Sequence, residues 1–480
     1  MSSFTSLEVG KRALAAQRLG LDVTGNNIAN VNTPNFSRRV ANLSETDPKL
    51  TTTGFIGTGV LVDTLRTFRE EFFDKEIRKN IARKAAYENE EKAISKIEAI
   101  LGEPSENGLS ELMTEFFNSF ENLSVKPDDI GLRSNVLAKA EAVVERFHTI
   151  SSQLTEMRKQ TISELSQSVN DINKLLNEIA DLNVKIVSAK AQTGADVQSL
   201  IDKRVEKLEN LSEIVGINTT TSDLGSVNVF INGINVVTGN VAERIKLIEY
   251  INPFSSEQTL RLATVDQNDV IKNYISPQDG AIYSNLKIYN VLLDDLESSN
   301  SFSIAKQLDE LASAIVHKFN GISVTGWGLD DNDLLPPGRN FFEPALGTIK
   351  ASNIRLSDDI KNKPRNIPTS DAPAEPGNNN VCLKFARLST DSTFIDSKTA
   401  IDYYATFLAS IGSIGSEVTS GRKTSSLISQ QLTNQREAVI GVNLDEEAVN
   451  LIKFQKAFEA SSRVINMTNE ILSTIVNLGR

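Results

Sequence analysis

Apolar positions in residues 442–480 recur at spacings of three and four. Leu451, Phe454, Phe458, Ile465, Leu472 and Ile475 make one side of a helix apolar for most of its length. A second stripe of Ala457, Ala460, Val464, Met467, Ile471 and Leu478 lies beside it, while Lys453, Lys456, Glu459, Arg463, Asn466, Glu470 and Asn477 take the remaining face. An apolar face this wide exceeds what one partner helix covers, so another segment or another molecule is required. Asn443 is a good N-cap, and Asp445, Glu446 and Glu447 put negative charge where the helix dipole favours it.

The opening segment mirrors the closing one. Phe4, Leu7, Leu14, Leu21 and Ile28 share a seven-residue rhythm, with the small Ala13, Ala16 and Gly20 and with Val23 beside it, so a helix over 6–30 can approach a partner closely. Lys11 and Arg18 interrupt the seam. Pairing with the C-terminal helix is the economical way to cover both. Each end lacks a full core alone, so both termini are expected to order on assembly. On periodicity alone an intramolecular core fits as well as a subunit contact; the width of the C-terminal face favours the contact.

Between the ends the period predicts helices over 63–101, 109–123, 131–190 and 200–215. The third of these, if continuous, is about 90 Å long. Breaks fall at Gly102-Glu103-Pro104, Pro127 and Gly216. Val227, Val229 and Ile231 then alternate, Asn232-Gly233 is a strong hairpin signal, and 244–251 and 259–265 read as further strands. Helical patterns resume over 281–296, 304–320 and 396–440. The stretch 325–380 is rich in Gly, Pro, Asn and Asp and reads as an exposed, irregular insertion. The fold class is therefore mainly α: a long helical bundle with paired N- and C-terminal coiled-coil helices, a smaller β-containing module and an irregular outer insertion. The domains are a terminal assembly domain (1–40 and 440–480), a rod-like helical body (41–215, 276–325 and 396–439), a β-rich module (216–275) and a surface insertion (326–395).

Composition narrows the function. The chain has 480 residues, enough for two or three cores at roughly 150 residues each. Its 62 acidic against 50 basic residues, a formal charge of -12, argue against a nucleic-acid partner. No run of 18 apolar residues predicts a membrane span, and Met1 to Thr5 open no signal peptide. Only His148 and His317 are available for catalytic triads or histidine metal sites, which nearly excludes both. Gly54, Gly57 and Gly59 lack the Lys-Ser/Thr ending of a phosphate loop. Asp330-Asp331-Asn332-Asp333 has Leu335 and Phe341 where an EF-hand needs glycine and glutamate, so it reads as a solvated turn. Trp327 reads as a loop anchor, and the lone Cys382 as a small core residue. No cofactor is expected, and no paired carboxylates suggest an enzyme.

In Asn30-Val31-Asn32-Thr33-Pro34-Asn35-Phe36, Pro34 fixes φ and Asn35 tolerates the left-handed region, as a type II turn requires. With Asn27-Ile28-Ala29 before it, this stretch resembles the N-terminal signature of bacterial flagellar rod, hook and hook-associated proteins. Val442-Asn443-Leu444-Asp445-Glu446-Glu447 resembles their C-terminal signature. The usual glycine after the proline is Asn35 here, the next best residue for a left-handed position. Three internal stretches, 126–133 (Lys-Pro-Asp-Asp-Ile-Gly-Leu-Arg), 200–204 (Leu-Ile-Asp-Lys-Arg) and 225–230 (Gly-Ser-Val-Asn-Val-Phe), are similar to the hook-associated protein 1 family, found at the junction of hook and filament.

The resemblance covers most of the chain but fails over about 330–380, where longer relatives carry a larger outer domain. It implies an extracellular structural protein of the flagellum, passed unfolded through the type III export channel without a cleaved signal. It further implies assembly as a ring with copies of itself, contact with the hook protein and a second hook-associated junction protein, and an export chaperone on the C-terminal helix. The expected interface is Leu7, Leu14, Leu21, Ile28, Leu451, Phe454, Phe458, Ile465, Leu472 and Ile475, with Asn30, Thr33, Pro34, Asn35 and Phe36 as the motif turn. The alternatives are another axial protein such as a hook or rod subunit, a hook subunit having a mainly β middle, and an enzyme domain carried on an axial scaffold.

Overall fold

In a computed structural model, the structure describes residues 3–33, 35–51, 54–67, 69–191, 197–251, 258–293, 302–343 and 347–478. Pro34 and the side chains of Phe4 and Leu478 lie outside the described residues.

The chain starts with α1 (Ser3–Ala29), turns back, and forms two antiparallel ribbons from β1 (Arg39–Glu45), β2 (Lys49–Thr51), β3 (Gly54–Ile56) and β4 (Val60–Thr67). β1 pairs β4, and β2 pairs β3. The helix expected from residue 63 therefore starts later, because Val60, Val62, Thr64 and Thr67 continue a β-branched run that pairs with β1. Next come α2 (Glu71–Leu101), α3 (Leu109–Val125), α4 (Ile130–Lys190) and α5 (Gln198–Ile214). Asp129 caps α4, its Oδ1 accepting from the Gly131 and Leu132 amides at 2.7 and 3.2 Å.

The β module holds β5 (Asn218–Thr221), β6 (Val227–Ile231), β7 (Ile234–Thr238), β8 (Val241–Ala242), β9 (Arg244–Ile251), β10 (Gln258–Val265) and β11 (Ile271–Ile275). Its sheets run β5-β6-β7-β8 and β11-β10-β9, all antiparallel. The β6–β7 turn has Asn232 at φ 45° and Gly233 at φ 83°, two left-handed residues as a type I′ turn requires. The helix expected over 281–296 is α6 (Ala281–Lys287) followed by a π turn at Ile288–Leu292; its last three residues lie outside the described residues. Then follow α7 (Ile304–Ser323), α8 (Asn380–Arg387), α9 (Ala400–Ile440) and α10 (Leu444–Leu478).

Helix α4 is the spine. Val136, Val143, Phe147, Ile150 and Leu154 on its first half enter one core with α3, α7 and α9; Leu165, Ile172, Leu176, Ile179 and Ile186 on its second half enter another with α5 and both sheets. The segment 326–395, expected as an exposed irregular insertion, is mostly irregular and keeps Leu334 and Leu335 exposed, but much of its apolar content is buried. Phe341, Phe342, Ile354, Ile367, Val381 and Phe385 sit in the first core, where Phe385 stacks on Phe319 (5.3 Å between ring centroids) and packs tilted against Phe120 (4.6 Å). Its Pro, Gly and Asn content leaves only α8 and short turns as regular elements without removing its apolar anchors. Arg133 replaces the missing backbone ladder: fully buried, it donates to the Pro127 and Ile367 carbonyls at 2.6 and 2.7 Å and to Thr369 Oγ1 at 2.7 Å.

Candidate assembly interface at the chain ends

α1 and α10 pair antiparallel, as three contacts fix: Gly10 against Ile465, Gly20 against Phe454, and Asn27 against Glu447. Position rises on one helix as it falls on the other. A Cβ at Gly10 would meet Ile465 Cγ1 at 2.8 Å, and one at Gly20 would meet the Phe454 ring at 2.7 Å. Each large C-terminal side chain thus rests on bare N-terminal backbone.

This shifts the expected seam. The buried line of α1 is Gly10, Ala16, Gly20, Val23, Thr24 and Asn27, whereas Leu7, Leu14, Leu21 and Ile28 are half-buried along its flank. The position closest to a partner backbone must be the smallest, so the leucines are displaced sideways. On α10, Leu451, Phe454, Phe458, Ile465 and Leu472 are half-buried, but Ile475 is exposed. The register puts Ser3, where α1 starts, opposite about residue 471; Ile475 and Val476 lie on the part of α10 that continues past it. The second stripe is also uncovered: Val464, Met467 and Ile471 are half exposed or more.

Beyond Asn27 the motif turn leads back to the body. Thr33 Oγ1 donates to Asn30 Oδ1 at 3.1 Å, the Thr33 amide to the Asn30 carbonyl at 2.9 Å, and the Phe36 amide to the Thr33 carbonyl at 3.3 Å. Asn35 has φ 61°, the left-handed conformation expected of it, and its Nδ2 donates to Glu209 Oε2 on α5 at 2.7 Å. Arg436 on α9 holds the other oxygen of Glu209 at 2.7 Å. Phe36 lies under the Arg39 guanidinium, 5.4 Å from ring centre to Cζ.

The two signature stretches meet through Glu447, which is 2% exposed. Arg38 Nε donates to Glu447 Oε1 at 2.8 Å, its second terminal nitrogen reaches the same oxygen at 2.7 Å, and Asn27 Nδ2 reaches Oε2 at 3.1 Å. Asn27 also exchanges hydrogen bonds with the Arg39 backbone, donating to its carbonyl at 2.8 Å and accepting from its amide at 3.1 Å. Glu446, next in sequence, reaches Arg38 at 3.0 Å from a largely exposed position. The sequence places Glu447 in the C-terminal signature and at the helix N-terminus, but not in a buried pair. Nothing in its local pattern separates it from Glu446.

A second group of charges fastens this clasp to the body. Asp202 Oδ1 accepts from Ser37 Oγ at 3.1 Å and from Arg69 at 2.9 Å, and Arg69 Nε donates to Asp74 at 2.7 Å. Burial raises the Asp202 carboxyl above its ordinary value; Arg69, the hydrogen bonds from Ser37 and Gln198, and Arg39 pull it back down. Two residues on, Arg204 donates to Asn183 Oδ1 and the Gly225 carbonyl at 2.8 and 2.7 Å. Burial first, then the Arg69 and Arg78 charges, lower it to about 10. The stretches 200–204 and 225–230 thus meet, Gly225 taking φ 86° to offer its carbonyl. Arg133 of the third stretch is likewise lowered to about 10 by burial. These arginines hold backbone carbonyls in place.

Between the motif turn and the α9–α10 joint runs an open groove of about 1070 Å³, lined by residues from Asn30, Phe36 and Arg38 on one side and Arg436 to Glu446 on the other. Among the described residues, no group of three His, Cys, Asp or Glu stands close enough to hold a metal. No helix there is long and apolar enough to cross a membrane. Asp330 and Asp331 are each paired with an arginine, Arg365 and Arg339.

Comparison with known proteins agrees along the whole length. Residues 94–342, just over half of the chain, match the helical domain of flagellar hook-associated protein FlgK. Residues 7–36 match the flagella basal body rod protein family, and residues 439–478 the C-terminal family of the basal body rod FlgEFG proteins. Flagellar hook-associated protein 1 of Bacillus subtilis is 29% identical over 99% of this chain and 98% of its own. That of Salmonella typhimurium is 23% identical over 97% and 98%. The solved flagellar hook junction protein FlgK from Burkholderia pseudomallei has the same fold, with a TM-score of 0.62 and 13% identity, covering 76% of this chain and all of that one. From the helical body to the two signature stretches joined at Glu447, then, the chain belongs to the FlgK family of flagellar hook-associated proteins, structural components of the junction between hook and filament.

Proposed function

We propose that copies of this chain assemble at the hook tip into a ring that adapts the hook lattice to the filament lattice, with the α1–α10 arm as the assembling element. The observation that carries this is the uncovered stripe of Val464, Met467, Ile471 and Ile475 on a helix whose other side already has its partner. Single exposed apolar residues are ordinary; a continuous stripe on an extended arm favours a packed neighbour. The hook protein below and a second hook-associated protein above are the axial partners. Before assembly the C-terminal helix is the docking site for an export chaperone, and the chain reaches the cell exterior through the flagellar export channel. The role is structural, without catalysis. A hook-subunit reading, with a mainly β middle, is disfavoured by the helices α2 to α5.

Truncation tests the reading. Removing residues from Leu451 onward is expected to abolish incorporation while the body melts unchanged, because neither body core draws on α10. Electron microscopy of cells lacking the chain is expected to show hooks without filaments. Normal filaments there, or loss of body folding on truncation, refute it.

A further inference from the structure

The two cores of the body do not merge, and every long helix that passes between them is weakest at the same level. On α4 the first core ends at Met157 and the second begins at Leu165. The buried position between them is polar: Thr161 Oγ1 returns to the Met157 carbonyl at 2.9 Å, a back-bond of the kind that loosens and bends helices. On α9 the last buried side chain of the first core is Ile411, and Gly412, Gly415 and Gly421 follow. A Cβ at Gly415 would stand 3.3 Å from Ile94, and one at Gly421 2.5 Å from the Tyr87 ring, which places these glycines beside residues 87–94 of α2. Glycine inside a helix lowers its stiffness. On α2 the first core starts only at Ala93, after the four polar residues Asn89, Glu90, Glu91 and Lys92. At that level too α6 passes into the π turn at Ile288–Leu292.

We propose that the body flexes at this waist, one core leaning on the other as a cleft between α2 and α4 opens and closes. The cleft encloses about 580 Å³, with Lys92, Ser95 and Lys96 on one wall and Gln160, Thr161 and Glu164 on the other. Lys96 and Glu164 span it at 3.9 Å with side chains 51% and 43% exposed, a pair too solvated to lock it. On its other sides α2 is fastened. Asn89 Nδ2 donates to Asn285 Oδ1 at 2.6 Å, the buried Glu90 holds Lys287 at 3.1 Å, and Arg422 of α9 pairs with Glu91 at 2.7 Å. Helices α2, α6 and α9 therefore move together, and α4 shifts against them. Closing a polar, water-filled cleft uncovers no core side chain, so the motion leaves both cores intact. In a ring that meets two lattices, flexure lets each copy lean separately. That use rests on the assembly reading above; the flexure is a property of the single chain.

Double electron–electron resonance on the purified full-length chain tests it. Nitroxide labels at Ser95→Cys and Gln160→Cys, both exposed, face each other across the cleft, while the native Cys382 is buried and stays unlabelled. Two further pairs serve as controls. Glu98→Cys with Ser416→Cys joins α2 to α9 near the same level, where Glu98 lies against Gly415. Glu115→Cys with Lys139→Cys replaces an ion pair of 2.8 Å beside the first core. The distance distribution across the cleft is expected to be about two-fold wider than in either control. Equal widths in all three pairs overturn the proposal, and so does an α2–α9 pair as wide as the cleft pair, which marks general looseness instead of a hinge. If labelling lowers the melting temperature, amide exchange of the unlabelled chain decides. Residues 158–164 of α4 are then expected to exchange about ten-fold faster than 140–150 and 172–180 on either side, and uniform protection along α4 overturns the hinge. Because the measurements use the single chain, failure of the ring reading leaves them unaffected.

Discussion

Glu447→Ala is the sharpest test of how the two ends are joined. The substitution removes both Arg38 contacts to Glu447 Oε1, at 2.8 and 2.7 Å, and one of the two bonds of Asn27 Nδ2. Removing one member of a buried ion pair commonly costs about 3–5 kcal/mol. Here Arg38 keeps Glu446 at 3.0 Å and its side chain is 19% exposed, so about 2–3 kcal/mol is expected. Glu446→Ala is the matched control: that side chain is 58% exposed, and the expected loss is about 0–1 kcal/mol. Amide exchange reads the difference locally. Amides of α1 and α10 near the clasp are expected to exchange roughly 30- to 150-fold faster in Glu447→Ala, at about tenfold per 1.4 kcal/mol, while those around Phe116 and Phe147 stay unchanged. Equal effects from the two glutamates, or a loss spread evenly through the body, refute the account of Glu447 as the buried link.

Three further outcomes follow from the same geometry. Gly20→Ala is expected to weaken the α1–α10 pairing by about 1–2 kcal/mol, because the clash with the Phe454 ring outweighs the helix propensity gained; Gly25→Ala, with open space around it, is expected to strengthen α1 by up to about 1 kcal/mol, and exchange across α1 reads both. Arg133→Lys is expected to cost about 2–4 kcal/mol in urea unfolding of the body, since one ammonium cannot reach the Pro127, Ile367 and Thr369 oxygens together. Burial lifts the Cys382 thiol to about 12, so its stabilising contribution is intact below its ordinary value of 9.0 and is lost progressively as pH rises from there towards about 12. At pH 8 a neutral thiol reagent should therefore label it only after denaturation, and rapid labelling of the native chain contradicts its place in the core.

Much of this architecture is a matter of local period, and local period is present in the sequence. The spacing of Val136, Val143, Phe147, Ile150 and their successors specifies a single helix of 61 residues, and Asn232-Gly233 specifies a hairpin because few other pairs accept two left-handed residues in succession. The signature stretches mark the ends. Register and burial of charge were decided elsewhere. Gly10 and Gly20, not the leucines, carry the closest approach of α1, since that depends on which α10 side chain stands opposite. The irregular 326–395 segment enters the core because Phe341, Phe342 and Phe385 find Phe116, Phe120 and Phe319 there. Glu446 and Glu447 are the same residue type side by side, yet only the second is buried. Its partner Arg38 is 409 positions away, and no periodicity reaches that far; only the folded chain brings such a pair together and excludes water from it.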